Sequence, residues 1–393
     1  MKNIKYIIIT IVVMLGIVVP QGLDAVSEAG VIFLLIEPGS RPGGMGHAYV
    51  AQVDDAFAGY WNPGAMAFNR KTQFAGMHTN WFGDIFDDIY IEYLGWNQYF
   101  EDIGNIGAHV VFLTYGKQDR LDEQGNYLGE FTSYELAVAA SYANQVSNNL
   151  GLGLTFKFIL SDLAPEGTGE TEVGVKGRGI SYAFDFGVKS QGVDFGQVMV
   201  APYNGVIAAY NGIASLTGIN KARYSGFSLP VHNLDFGLNL QNVGPNIVYI
   251  DDAQSDPLPM NWRMGFSYRL MESQFNKFTI NADMNKLLAN DDPFYQRIIT
   301  AWYDDPATDD KSTFQNELES TIFNVGAEYT YFNLLSLRGG YIYDKAGDII
   351  GPSFGAGIQY TFTNKYKVSF DFAFQQGGGL VDYNKTFSLG LEF

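Results

Sequence analysis

From about residue 71 to its C-terminus the chain is written in period two, and that rhythm commits it to β-strands. Val368, Phe370, Phe372 and Phe374 alternate with Ser369, Asp371 and Ala373, and Phe387, Leu389, Leu391 and Phe393 alternate with Ser388, Gly390 and Glu392. The dyad recurs in Leu152 to Leu160, Ile180 to Val188, Leu234 to Leu240, Trp262 to Leu270, Phe278 to Met284 and Phe323 to Tyr331. The alternate positions carry Lys157, Asp185, Asp235, Arg263, Arg269, Asp283, Glu328, Lys367, Asp371 and Glu392 among small residues. A water-soluble sandwich would also show a polar face. The apolar face here is uniformly large, with few of the small residues that let two packed sheets interdigitate, and that suits a neighbour made of lipid.

The connections test this reading. About 14 strands begin near Lys71, Phe86, Gly104, Thr132, Leu150, Gly179, His232, Asn261, Asn276, Thr321, Leu335, Pro352, Lys365 and Lys385. Connections after odd strands are mostly long: Gly116 to Phe131, Asp162 to Arg178, Gly244 to Met260 and Ala289 to Ser320. Those after even strands are short, as at Ser147 to Asn149, Glu272 to Phe275, Asn333 to Leu334 and Thr363 to Asn364. Single-chain outer-membrane barrels pair short periplasmic turns with long external loops around an even strand count. The expectation is an all-β, antiparallel outer-membrane barrel over residues 71–393, with both termini periplasmic. Gly192 to Val231 departs from the scheme: it holds an extra pair of strands, an inward constriction around Gly205 to Gly218, or a periplasmic surface for a partner.

The N-terminus agrees with export. Lys2 and Lys5 precede an apolar run, Tyr6 to Val19, that ends at Pro20, with Ala25 or Ala29 as cleavage positions, so residues 1–29 read as a signal peptide. That run is shorter than a spanning helix needs, and the mature chain crosses as strands. The terminal strand, closing on Phe393, looks like the signal by which insertion machinery recognises barrel clients. A formal net charge of -18 argues against nucleic acid as a partner. The absence of cysteine removes thiolate metal sites and cysteine nucleophiles.

Little points to catalysis, and the reading is a protein that is not an enzyme, without cofactor or metal. His47, His78, His109 and His232 show no ligand spacing. His78 and His109 fall on neighbouring predicted strands, but no nucleophile elbow accompanies them. The paired carboxylates Asp54-Asp55, Asp87-Asp88, Asp251-Asp252, Asp291-Asp292, Asp304-Asp305 and Asp309-Asp310 lack calcium-loop spacing and read as solvated turns.

Residues 30–70 precede the first strand and are dense in turn residues: Pro38-Gly39, Pro42-Gly43-Gly44, Gly46, Gly59 and Asn62-Pro63-Gly64. Such a segment folds compactly inside a barrel as a plug or hatch, or lies beneath it as a leader. Gly44-Met45-Gly46 with Ala48, Val50 and Ala51, then Asp54-Asp55-Ala56 and Asn62-Pro63-Gly64-Ala65, resemble the signature shared by FadL-like fatty-acid channels and the PorV/PorQ proteins of type IX secretion. Phe33 to Ile36, Pro38 and Arg41 resemble the PorV/PorQ version in particular. Gly64-Ala65 departs from the commonest form, which reads alanine then glycine.

The resemblance implies a FadL-like barrel with a plug whose signature residues are Arg41, Gly44, Met45, Gly46, Asp55, Asn62 and Pro63. It also implies partners: the secretion translocon and the C-terminal signal domains of exported cargo, passed on to the surface attachment machinery. The FadL side of the resemblance implies a hydrophobic ligand instead. For partner contact, Phe294, Tyr295, Trp302 and Tyr303 in the longest loop form an aromatic patch with an acidic rim, either presented to a partner or packed across the barrel mouth.

Overall fold

The period-two segments fold as strands in the computed structural model, which describes residues 29–81, 83, 85–121, 126–164, 177–192, 233–249, 255–304, 312–363, 365–377 and 383–393. The strands are β1 (Gln73–Asn80), β2 (Ile89–Phe100), β3 (Gly104–Leu121), β4 (Tyr127–Ser147), β5 (Leu150–Ala164), β6 (Gly177–Ser190), β7 (Leu234–Val243), β8 (Ile247–Val248), β9 (Ser255–Asp256), β10 (Asn261–Glu272), β11 (Asn276–Leu287), β12 (Thr321–Tyr331), β13 (Leu335–Asp344), β14 (Ile349–Phe362), β15 (Tyr366–Gln376) and β16 (Tyr383–Glu392). Fourteen close into an antiparallel barrel, and β8 and β9 form a separate ribbon. β1 seals the barrel against β16 from Gln73↔Glu392 to Asn80↔Lys385. Closure leaves no unpaired edge in the wall, which lipid demands because it offers nothing to bond a free N–H or C=O.

Side chains sort as their alternation requires. Leu152, Leu154, Phe156 and Phe158 stay exposed on the outside, while Lys157, Asp185, Asp283 and Glu328 are buried within. Among the described residues no helix is long and apolar enough to cross a membrane. The spanning elements are strands.

One expected outer loop proves to be largely strand, and the described ends of a second are strand as well. β3 and β4 stay paired past Gly116 to Leu121↔Tyr127 after a register shift between Thr114 and Lys117, and β5 and β6 stay paired to Ala164↔Gly177. The bulge falls at Gly116, whose φ of 71° suits glycine. These extensions carry Lys117, Asp119 and Glu130 rather than a greasy face, so an apolar dyad cannot announce them. Residues 193–232 lie outside the described residues, and with them most of Gly192 to Val231. The signal-peptide expectation lies there too, except for Ala29.

β7 leaves the wall early. It pairs with β6 only from Ser190↔Phe236 to Phe184↔Val243, with Asn242 turning inward at φ 58°. Beyond Phe184 the inner side of β6 is lined by the following chain: Ser181 Oγ donates to the Pro245 carbonyl at 3.1 Å, and Ile247 is fully buried. The result is a notch at the long-connection end of the wall.

Inside lies the segment from Gly30 to Asn69, which touches all fourteen barrel strands. Gly39 meets Met77 of β1, and Tyr93 of β2 bonds the Ala56 carbonyl. Gly59 lies against His109 of β3 and Ser141 of β4, and its carbonyl accepts from Thr155 of β5. Lys189 of β6 and Asn239 of β7 donate to its backbone. The remaining contacts run through Gly265 of β10, Asp283 of β11, Glu328 of β12, Gly340 of β13, Gly355 of β14, Gln375 of β15 and Ser388 of β16. Only a lumenal segment can touch every stave of a closed barrel.

The segment also runs the length of the lumen. The Gly30 N–H donates to Pro257 at 3.0 Å at the long-connection end, whereas Thr72 pairs with Phe393 at the short-turn end. Phe393 and the start of β1 therefore lie at one end of the barrel and Gly30 at the other, because the lumenal pass adds one traversal to an even number of strands.

Neighbouring glycines of β13 offer a matched test. A Cβ on Gly340 would overlap the Met45 carbonyl carbon and the Gly46 nitrogen, whereas one on Gly339 meets nothing within 4 Å. Gly340→Val is expected to cost about 1–3 kcal/mol and expose residues 30–69 to protease. Gly339→Val should stay within about 0.5 kcal/mol in the same unfolding assay.

Candidate functional site

The signature residues gather in the lumenal segment, where short turns fold it so that its backbone lies against the wall. Gly44 sits on the Gly355 backbone, Met45 is fully buried between Gly326 and Gly340, and Gly46, at φ 61°, lies on Tyr341. Asn62 is fully buried. Its Oδ1 accepts from the Gly64 N–H to cap the 3-10 turn Pro63–Phe68, with Pro63 at the first position. Its Nδ2 lies 3.0 Å from both the Val50 and the Val188 carbonyls, tying two passes of the segment to β6. Gly64 rests on Gly187, so a Cβ there would strike the β6 backbone. That accounts for glycine preceding alanine at this step.

Arg41 is the electrostatic centre. Its Nε and Nη2 donate to Glu328 at 2.9 and 2.8 Å, and Nη1 donates to Asp54 at 2.5 Å and to the Tyr49 hydroxyl at 3.1 Å. Glu328 also accepts from Arg338 at 2.7 Å, which reaches Asp371 at 2.6 Å. Burial would lower the Arg41 guanidinium, but Asp54 and Glu328 outweigh it and raise it well above its ordinary value. Enclosure by the barrel raises Asp54, although its carboxylate stays open to the cavity; Arg41, Lys189 and Lys367 reverse this and hold it below the usual carboxylate range. Asp55 goes the other way, raised by burial despite Arg41, and accepts from Tyr49 Oη at 2.6 Å and from the Phe57 N–H at 3.0 Å.

This network borders a cavity of about 570 Å³ that opens among residues of the short turns, such as Glu272, Lys277 and Asn333. Its lining alternates in sign, with Arg41, Lys189, Arg269 and Lys367 facing Asp54, Asp235, Asp371 and Glu392. Toward the other end, Glu37 bonds His47 and Arg263, and Arg263 stacks over Trp61 at 4.5 Å. Glu37 and Arg41 thus find wall partners, while Asp54 is satisfied chiefly within the segment.

The long loop between β11 and β12 folds back on the notch. Its helix Phe294–Thr300 follows Pro293, and Ser312 forms a capping box with Gln315 at the start of Thr313–Glu319. Ala301 joins Val243, Met260 and Leu288 in a buried cluster. Trp302 packs edge-on against Trp262 at 5.1 Å. Of the four aromatic candidates, Trp302 therefore anchors the loop to the wall, because its indole finds an apolar neighbour there. Phe294, Tyr295 and Tyr303 remain exposed. Phe314 and Leu318 of the second helix are exposed too, at the i, i+4 spacing of one helix face; period-two reading passed over them.

The two histidines do not converge. β2 separates His78 on β1 from His109 on β3, so they are not on neighbouring strands. His78 points outward, and His109 is buried inside, stacked on Tyr93 at 5.6 Å. Among the described residues no group of three or more metal-ligating side chains assembles.

Comparison with known proteins bears on what such a barrel is. The family model described as type IX secretion system protein PorV matches residues 21–196 and 212–293, more than half of the chain. The chain belongs to the PorV family. No match was found among curated proteins. Among solved structures, the TodX deltaS2S3 mutant monoaromatic hydrocarbon channel is 12% identical with a TM-score of 0.51, covering 90% of this chain and 98% of that one. The deltaS2 mutant of TodX gives 11% and 0.50 over 91% and 97%, and the Pseudomonas putida toluene transporter TodX gives 12% and 0.47 over 95% and 98%. At such identity the likeness speaks for the FadL-like fold alone. PorV membership and this architecture place the chain in the outer membrane.

His47 supplies a pH test of how the PorV-type segment is seated. Burial pushes its imidazole down from 6.5 to about 4. The unfolded segment then binds more protons between those values, so seating weakens as pH falls from about 6.5 toward 4. Asp55, raised by burial, slopes the opposite way. Proteolysis of residues 30–69 should accelerate across that window, and His47→Gln should flatten the response. Arg41→Ala leaves Glu328 with one guanidinium fewer and is expected to cost about 3–5 kcal/mol, read by the same proteolysis at neutral pH.

Proposed function

We propose that this barrel serves type IX secretion by binding the C-terminal signal domains of exported cargo and passing them to the surface attachment machinery. In this reading the short turns and Phe393 face the periplasm, and the long loops face the cell surface. PorV membership supports it, and the observation that carries it is the filled lumen. Residues 30–69 touch every strand, and the cavity left beneath them is lined by charge. Apolar solutes gain nothing from such a lining. Work is left to surfaces, and the outer loop supplies Phe294, Tyr295, Tyr303 and Phe314 as exposed anchors beside Asp291 and Asp292.

A second reading, a channel for hydrophobic molecules such as fatty acids or hydrocarbons, draws on the notch. There β6 runs past its last partner in β7, Val243, which belongs to a buried cluster with Met260, Leu288 and Ala301 against which Trp262 and Trp302 pack. Movement of that cluster would open a lateral, apolar exit.

Deleting the gene and comparing culture-supernatant proteins with the parent strain separates the two. The secretion reading expects loss of a set of proteins that share a C-terminal domain. Unchanged secretion with lost uptake of a hydrophobic nutrient would reverse the order. Combined Phe294→Ser, Tyr295→Ser and Tyr303→Ser is expected to cut cargo co-isolation at least ~10-fold while the barrel stays folded, as loss of anchors worth about 2 kcal/mol implies.

A further inference from the structure

The cavity of about 570 Å³ at the short-turn end has the size of a small-molecule site. Gln52 and residues 54–57 of the lumenal segment roof it, and Glu272, Lys277 and Asn333 frame its mouth. A solute that enters meets the roof and goes no further, so the space has the form of a receptor pocket rather than a passage. Its charge is out of keeping with the chain. The protein carries 24 basic and 42 acidic residues, yet as many basic as acidic side chains line the cavity.

Deep in the cavity the charges satisfy one another, as where Arg338 bonds both Glu328 and Asp371. Two pairs at the mouth do not. Arg269 Nη2 stops 3.6 Å from Asp235 and Lys277 Nζ stops 3.8 Å from Glu272, beyond hydrogen-bond distance. Among the described residues Arg269 Nε has no partner, and the two side chains are 39% and 47% exposed. Arg269 pairs with Thr279, and Lys277 stands two residues nearer the turn on the same face of β11, so both heads can reach one ligand group. A guanidinium fork beside an ammonium suits a carboxylate. The opposite pole is Asp54 on the roof: Arg41 holds its Oδ1, and the side chain is still 64% exposed. From Lys277 to Asn281, which bonds Gln52 of the roof, β11 advances four residues, roughly 13 Å along the strand and about 10 Å of height once tilted. An extended tripeptide spans about 10 Å.

We infer that this cavity is a binding site for short peptides with both ends free, the carboxylate held by Arg269 and Lys277 and the ammonium by Asp54. A ligand of one sign is not served: an anion that fills the space meets Asp54 and Asp371, and a cation meets Lys71 and Lys367. Such ends occur on free peptides and on the side peptides of the cell wall. The second source rests on the proposed orientation, with the short turns in the periplasm; the site itself does not.

Calorimetric titration of the full chain in detergent with trialanine tests this. The expected result is saturable binding at one site, weakened at least about tenfold by acetylating the ammonium or amidating the carboxylate, as loss of a charge-assisted contact implies. Arg269→Gln should weaken free trialanine by a similar factor and leave the amidated peptide unaffected; Asp54→Asn should do the same with the acetylated one. Lys277→Gln, half-exposed at the mouth and clear of the lumenal segment, repeats the carboxylate test without risk to its seating, and heat-modifiability reports that each barrel is folded. Co-sedimentation with purified cell-wall sacculi, competed by trialanine, would assign the wall as the source; trialanine binding without it would assign free peptides. No binding, equal binding of the doubly capped peptide, equal competition by phosphate or putrescine, or indifference to all three variants would overturn the proposal. None of these readouts involves secretion, so failure of this inference and failure of the secretion reading are distinguishable.

Discussion

Everything inside this barrel depends on backbone meeting backbone. Gly340, Gly153, Gly237 and Gly187 bring strands against the main chain of residues 45–64 at distances that no side chain would permit. Native interiors are packed so tightly that a single added methyl is felt, and here the crowding is shared around the whole circumference. The wall shapes the segment, and the segment in turn fills a lumen that fourteen strands would leave wide.

Charge supplies the complementary hold. Arg41, Glu328, Arg338 and Asp371 form a chain of alternating sign from the segment to three strands, in which Arg41, Glu328 and Arg338 each have more than one partner. Such chains define one seating sharply, because removing any member strands another in a water-poor site. At the opposite end, the aromatic and aliphatic contacts of Trp302 with Trp262 hold the outer loop by shape.

The wall was legible in the sequence because lipid imposes a strict rule on it: every second residue must be greasy, as in Phe387, Leu389 and Leu391. Where that rule lapses, so does legibility. The water-exposed upper hairpins around Lys117 and Glu130 passed for loops, and the early departure of β7 at Asn242 left no periodic trace. Turn chemistry and resemblance pointed to the signature residues, but not to their partners. That Arg41 would find Glu328, or that Trp302 would turn to the wall, depends on contacts between residues far apart in the chain.

The threading of residues 30–69 has a topological consequence. A polypeptide that passes once through the lumen and then fourteen times through the bilayer makes an odd number of crossings. Residue 30 and residue 393 accordingly lie at opposite ends of the barrel. A segment that continues ahead of residue 30 would therefore leave the barrel at the end opposite Phe393.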